Sequence, residues 1–264
     1  SHAAAYAVVS YQTAWLKANH PVEFMAAVMN LDIHLTDKLN GYVKECRRLG
    51  IEIAPPDVNR ARARFTVEDG RILYALGALK NVGIEAMRLV TAAREAGGPF
   101  ADLFDFARRV DLRQLGKRAL EMLARAGAFQ SLEPNRARVW RSLDALVDYS
   151  GAVHDERASG QGGLFGDAAE ALPPPRLDAG EDWLPGERLR EEHGAVGFYL
   201  SGHPLDDYAP TLARKRVMTH AEFAATLGRT GGKARIAGTL AQIQNRKSAR
   251  GTRFAFLQFS DTTG

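Results

Sequence analysis

Two short stretches of the chain could hold a phosphate. Leu79-Lys80-Asn81-Val82-Gly83-Ile84 and Gln114-Leu115-Gly116-Lys117-Arg118 each read as a tight turn between two helices. The backbone N–H groups at a helix N-terminus can bind a phosphate oxygen, and glycine lets the phosphate come close. Lys80, Lys117 and Arg118 would add charge without reading bases, so the affinity would be independent of DNA sequence and would fall with salt. Each unit alone also fits an ordinary helix-turn-helix packing element. A third stretch, Gln161-Gly162-Gly163-Leu164-Phe165, has the form of a docking peptide, with Leu164 and Phe165 filling an apolar pocket and Gln161 bonding its rim. The alternative is that Leu164 and Phe165 fold back as an anchor on a neighbouring domain. Near the C-terminus, Phe254 and Phe256 lie beside Arg253 and opposite Arg246, Lys247 and Arg250. Aromatics among cations suit single-stranded nucleic acid, by stacking and phosphate pairing, although alternate aromatics can equally face a barrel core.

No catalytic or metal-binding residues are expected. The histidines are scattered without metal-ligand spacing, and neither G-x-G-x-x-G nor a Walker loop occurs. No short-range Asp pair beside a strand is present to hold Mg²⁺, and Asp206-Asp207, after Pro204, suits a helix cap better.

The elements that must position these residues are mainly helical. The 264 residues are 45% hydrophobic and 25% charged, an ordinary globular composition. No apolar run of roughly 18 residues and no signal peptide occur, and the one cysteine, Cys46, excludes an internal disulfide. A cytoplasmic protein without membrane contact is expected. The net charge of +4 is unevenly spread: from Arg214 to Arg253 the basic residues are opposed only by Glu222, whereas Asp155 to Glu192 is rich in acid. Basic segments attract phosphate, and an acidic linker would avoid it.

Along the chain, helices are expected up to Lys17, from Pro21, and from a cap at Thr36 to Gly50. Ile51–Pro56 reads as extended, and Asp69-Gly70 between Phe65–Val67 and Ile72–Tyr74 signals a hairpin. Helices return from Leu76 to Tyr149, the last with Pro134 near its start and a stripe of Val139, Leu143, Leu146 and Val147. From Ser150 to Pro185, Gly, Pro and acid suggest a linker; a short helical stretch from Glu187 follows. Ala234–Gln244 and Thr252–Phe259 alternate like strands around a basic loop, Asn245–Gly251. The chain opens directly on a helical pattern and stops after two strands, so it reads as part of a longer protein.

Several strings are specific enough to carry a family resemblance. Ser1–Tyr6, Val9–Lys17, Pro21–Ala27, Pro55–Asn59, Arg125–Phe129 and Gly197–Leu205 closely resemble the bacterial DNA polymerase III alpha subunit, in order along essentially the whole chain. The resemblance implies a mainly α, multi-module chain. Residues 1–54 would be the end of the fingers, 55–130 a tandem helix-hairpin-helix domain with a small β-hairpin, and 131–150 a helix. Residues 151–186 would be a linker with the clamp-binding motif, 187–230 a connecting segment, and 231–264 the truncated start of an OB-fold. It further implies that Lys80, Asn81, Val82, Gly83, Gly116, Lys117 and Arg118 contact duplex DNA. Gln161, Leu164 and Phe165 would bind the sliding clamp; Arg246, Lys247, Arg250, Arg253 and Phe254 would contact single strands. Other replicase subunits would be partners. The parent polymerase would use Mg²⁺ and deoxynucleotides, with its metal-binding aspartates upstream and no cofactor in this segment. Asn81 stands where the family usually shows glycine. An error-prone relative, a stand-alone repair factor and a protein-interaction scaffold are the competing functions.

Overall fold

The computed structural model describes residues 2–159, 172–226 and 233–263. They divide by internal contacts into two units, Ser1–Leu200 and Ser201–Gly264.

The first unit begins with α1 (His2–Asn19), α2 (Pro21–Leu31) and α3 (Thr36–Arg48). The break between α1 and α2 is a single residue. Pro21 disfavours helical geometry at the residue before it, and His20 sits at φ −134°, ψ 57°. α1 leaves Tyr6, Tyr11 and Trp15 exposed, and Lys17 ties it to Glu45 of α3 at 2.9 Å. α3 buries Leu39, Val43 and Cys46. The expected cap at Thr36 does not form: Leu35 takes the capping position, without a side-chain bond, and Thr36 lies inside the helix. The end at Gly50 is as expected. Gly50 adopts φ +73°, and the N–H groups of Gly50 and Ile51 bond the carbonyls of Arg47 and Cys46.

β1 (Ile53–Ala54), β2 (Thr66–Glu68) and β3 (Arg71–Leu73) follow. Asp69 (φ 51°) and Gly70 (φ 72°) make the tight turn that the Asp-Gly pair predicts. The hairpin is part of a three-stranded sheet in the order β1-β3-β2, because β1 pairs in parallel with β3. Asn30 of α2 fixes the entry to β2: its side chain bonds both the N–H and the C=O of Phe65.

The remaining helices of this unit are α4 (Ile84–Gly97), α5 (Leu103–Arg109), α6 (Leu112–Leu115), α7 (Lys117–Ala126), α8 (Arg136–Arg141), α9 (Leu143–Ser159) and α10 (Pro185–Val196). Side chains of Asp102, Asp111 and Asn135 cap α5, α6 and α8 by accepting from backbone N–H groups. Phe106 stands at the centre of the packing, edge-on to Phe100 at 5.0 Å and to Phe129 at 5.2 Å.

Three expectations need correction here. The single helix after Pro134 is two helices meeting at Ser142, and the second runs to Ser159, well into the stretch read as a linker. Burial holds it: the Ser150 hydroxyl bonds the Val110 carbonyl and the Leu112 N–H, and Val153 is fully buried. The proline-rich stretch is also no free linker from Leu172 onward. It lies as a strap along α8 and the start of α9, where Asp178 bonds Arg141 and the Ser142 hydroxyl, Asp182 accepts from the Ala137 N–H, and Trp183 meets Trp140 at 6.2 Å. Finally, α10 starts at Pro185 rather than Glu187. It is no mere connector, since its Ala195 and Val196, with Phe198 and Leu200 just beyond its end, join the core that the preceding helices build.

The second unit holds a 3₁₀ turn at Asp206–Tyr208, α11 (Ala209–Arg214), α12 (His220–Thr226), β4 (Thr239–Lys247) and β5 (Arg253–Ser260). The cap expected of Asp206-Asp207 does not form: Leu205 takes the capping position without a side-chain bond, and Asp206, inside the turn, instead accepts the His203 N–H at 2.6 Å. β4 and β5 form an antiparallel ribbon, with a register irregularity between Leu240 and Gln242. The first strand starts five residues later than the alternation predicts, and Asn245, Arg246 and Lys247 belong to it rather than to the loop.

Candidate nucleic-acid interface

The first hairpin is built from less helix than its sequence suggests. Before it stands a single 3₁₀ turn, Leu76–Ala78, and after it the 14-residue α4. Leu79 and Val82 are buried and pin the loop from below, so Val82 can offer a ligand only its backbone. Asn81 takes the left-handed conformation, φ 59°, which asparagine tolerates better than most residues. Gly83 is the informative position. Its φ of −80° is open to any residue, and a Cβ built there would meet nothing within 4 Å. Neither conformation nor packing within the chain requires glycine at 83, and its face is open to a visitor. α4 starts without a side-chain cap, which leaves its first N–H groups available. Lys80 is exposed, and its N–H bonds the Ala195 carbonyl at 2.8 Å, fixing the loop to the end of α10. One feature opposes an anion: Glu85, in the first turn of α4, pairs with Arg88 at 2.9 Å.

The second hairpin joins the four-residue α6 to α7 through Gly116. At φ 81°, ψ 142°, this backbone is accessible essentially to glycine alone. α7 again starts without a side-chain cap, and Ala119 and Leu120 both turn their N–H groups to the Gly116 carbonyl. The N–H groups of Lys117 and Arg118 are then the ones at the open helix end, beside their own cationic side chains. Both cations are already engaged. Lys117 Nζ lies 2.6 Å from Asp144 of α9, and Arg118 lies 3.3 Å from Glu121 one turn along. The Asp144 carboxylate raises the Lys117 pKa above the ordinary lysine value. The Arg118–Glu121 pair is legible as an i,i+3 spacing. The Lys117–Asp144 pair crosses between helices, and no local sequence signal announces it.

Gln161, Leu164 and Phe165 lie outside the described residues. Their flanks are both held on the first unit, by α9 on one side and the docked strap on the other.

The ribbon sorts its candidate residues by face, since side chains alternate along a strand. Arg246 pairs with Phe254 and Gln244 with Phe256, which puts these four, with Gln242 and Gln258, on one face. Phe254 and Phe256 are 44% and 61% exposed and meet edge-on at 5.4 Å. Lys247 and Arg253 pair with each other on the opposite face, which also carries Leu240, Ile243, Leu257 and Phe259. Arg250 is in the turn. The five residues read as single-strand contacts are thus divided: Arg246 and Phe254 share the aromatic face, Lys247 and Arg253 the opposite one, and Arg250 lies between the strands.

One Ser–His contact invites a hydrolase reading and fails it. His203 Nε2 lies 2.8 Å from Ser260 Oγ, but His203 Nδ1 accepts the Leu205 N–H at 3.2 Å. The ring proton therefore sits on Nε2, which donates to Ser260 and cannot take its proton. Among the described residues no group of three or more His, Cys, Asp or Glu is arranged to hold a metal ion, and no helix is long and apolar enough to cross a membrane.

Residues 50–139 match the family model for the helix-hairpin-helix motif, and this stretch contains both hairpins. The chain is thus a mainly α protein built around a helix-hairpin-helix domain, with small sheets attached. Over all of its length it is also similar to DNA polymerase III subunit alpha: 52% identical to that of Caulobacter vibrioides, 42% to that of Neisseria meningitidis serogroup B and 40% to that of Thermus aquaticus. It covers 23%, 22% and 21% of those proteins, respectively. By sequence the chain belongs with the bacterial DNA polymerase III alpha subunits, as one segment spanning about a quarter or less of their length.

Proposed function

We propose that this chain is a non-catalytic segment of a replicative DNA polymerase that holds duplex DNA through two hairpins and connects the enzyme to its sliding clamp. The observation that carries the reading is the repeated hairpin itself. Two helices start without side-chain caps behind an exposed turn, Gly83 is free of any internal steric demand, and Lys117 and Arg118 flank the second start. Such a grip bonds phosphates and reads no sequence, as a polymerase that must pass over every sequence requires. Gln161, Leu164 and Phe165 would dock in the clamp, and two weak attachments on one unit raise each other's effective concentration. The whole protein would be a DNA-directed DNA polymerase of the cytoplasm, working with other replicase subunits, Mg²⁺ and deoxynucleotides, with its catalytic carboxylates outside this segment.

Two measurements test this reading. Replacing Lys117 and Arg118 together by alanine is expected to weaken duplex binding and to lower the slope of log affinity against log salt by about two; unchanged binding would remove the second hairpin from the interface. Leu164→Ala with Phe165→Ala is expected to abolish binding to a bacterial sliding clamp. No clamp binding by the native chain, or binding that ignores both changes, would make the motif an anchor or an accident and favour an error-prone relative or a repair factor. A second contact, with single-stranded DNA, is favoured by the face carrying Arg246, Phe254 and Phe256, where bases could stack beside a cation.

A further inference from the structure

The cations of the second hairpin are not waiting free for phosphate. Lys117 begins α7 and Asp144 stands in the first turn of α9, two helices away in the chain, yet Nζ and Oδ1 are 2.6 Å apart. No helical i,i+3 or i,i+4 spacing brings them together; the packing of α7 against α9 does. Both side chains are more than half exposed, so the pair adds little to folding, while solvent and ligand can reach it. The first turn of a helix is a favourable place for an acidic side chain such as Asp144.

We propose that Asp144 is an internal counter-ion for the DNA-binding surface, occupying the Lys117 ammonium that a DNA phosphate takes over when duplex binds. The inference rests on the reading of the Gly116 hairpin as a phosphate contact. A phosphate that reaches Lys117 must displace Asp144 and then remain near it, so the carboxylate opposes binding twice, by competition and by repulsion. The grip on the backbone is thereby weakened where a holder of moving duplex has to release and re-form its contacts. Asp148, one turn further along α9 and exposed, pairs with no described residue of the hairpin and serves as the matched control for net charge.

The test measures binding of the whole chain to a fluorescent duplex across a salt series, for the native sequence and for Asp144→Asn, Asp148→Asn, Lys117→Ala and the Lys117→Ala/Asp144→Asn double variant. Thermal melts check that each variant is folded. Asp144→Asn is expected to tighten binding about two- to fivefold at low salt and to steepen the salt slope by up to about one. The double variant should bind no better than Lys117→Ala alone. Weaker binding by Lys117→Ala with no gain from Asp144→Asn would overturn the counter-ion role and leave the hairpin contact standing. An equal gain from Asp148→Asn, or a gain that survives the loss of Lys117, would overturn it as well, by reducing the effect to general charge. Duplex binding indifferent to Lys117→Ala would overturn the hairpin contact itself, and the counter-ion role with it.

Discussion

The two hairpin glycines do different work, although the sequence presents them alike. Gly116 holds a backbone conformation that other residues essentially do not adopt, whereas Gly83 sits at an ordinary φ with open space around it. The same substitution should therefore separate stability from binding. Gly116→Ala is expected to destabilise the chain by about 1–3 kcal/mol through backbone strain. Gly83→Ala should leave the thermal midpoint within about a degree or two of the native value, while its added methyl group weakens duplex binding. Melting curves and duplex titrations on the two variants check both halves. A Gly83→Ala chain that binds normally would show that no phosphate approaches this turn.

At the scale of elements, α1 depends on the rest of its unit through very few side chains, and Lys17–Glu45 is the ion pair that reaches α3. Hydrogen bonds from Arg48 and then Lys17 hold the Glu45 carboxyl at about 2, against an ordinary value of 4.5. A depressed carboxyl pKa stabilises the fold above the unfolded value, and that contribution is lost as pH falls through the folded one. The tie is therefore expected to remain intact down to about pH 4.5 and to fail between there and about 2. Following the Glu45 side-chain carbon by NMR in an acid titration checks this. A midpoint near 4.5 would mean that the pair is not formed in solution. The strap from Leu172 to Leu184 is the contrasting case: prolines keep it extended, and backbone and side-chain bonds to α8 and the start of α9 hold it down.

For the whole molecule, the division after Leu200 matters more than any boundary visible in the composition. The core of the first unit draws on residues from α2 to Leu200, including the buried Glu192, which accepts the Leu200 N–H at 3.1 Å and lies 3.7 Å from Arg136. A chain ending at Leu200 is accordingly expected to fold and to keep most of its duplex affinity. A chain ending at Tyr149 or Ser159 would strip the α10 layer from α7 and should melt lower or lose cooperativity. Calorimetry on the three lengths distinguishes a unit that closes at Leu200 from one that closes earlier.

What the sequence determined by itself was local. Gly50, Asp69-Gly70, Gly116 and Pro21 end or turn the chain where they stand, because positive φ and a missing N–H are properties of single residues. The tandem hairpins were legible for the same reason, as turn residues with basic flanks, and Asn81, where the family usually shows glycine, adopts the left-handed conformation that asparagine tolerates. Partners distant in sequence were not legible. The parallel pairing of β1 with β3, the extension of α9 to Ser159, the strap against α8 and the ion pair of Lys117 with Asp144 all join surfaces that no short window contains. In the ribbon, alternation predicted two strands, but only the register decided that Arg246 faces Phe254 and that Lys247 and Arg253 turn the other way. A shift of one residue exchanges the two faces of a strand, and the turn, the bulge and the cross-strand pairs settle that shift together.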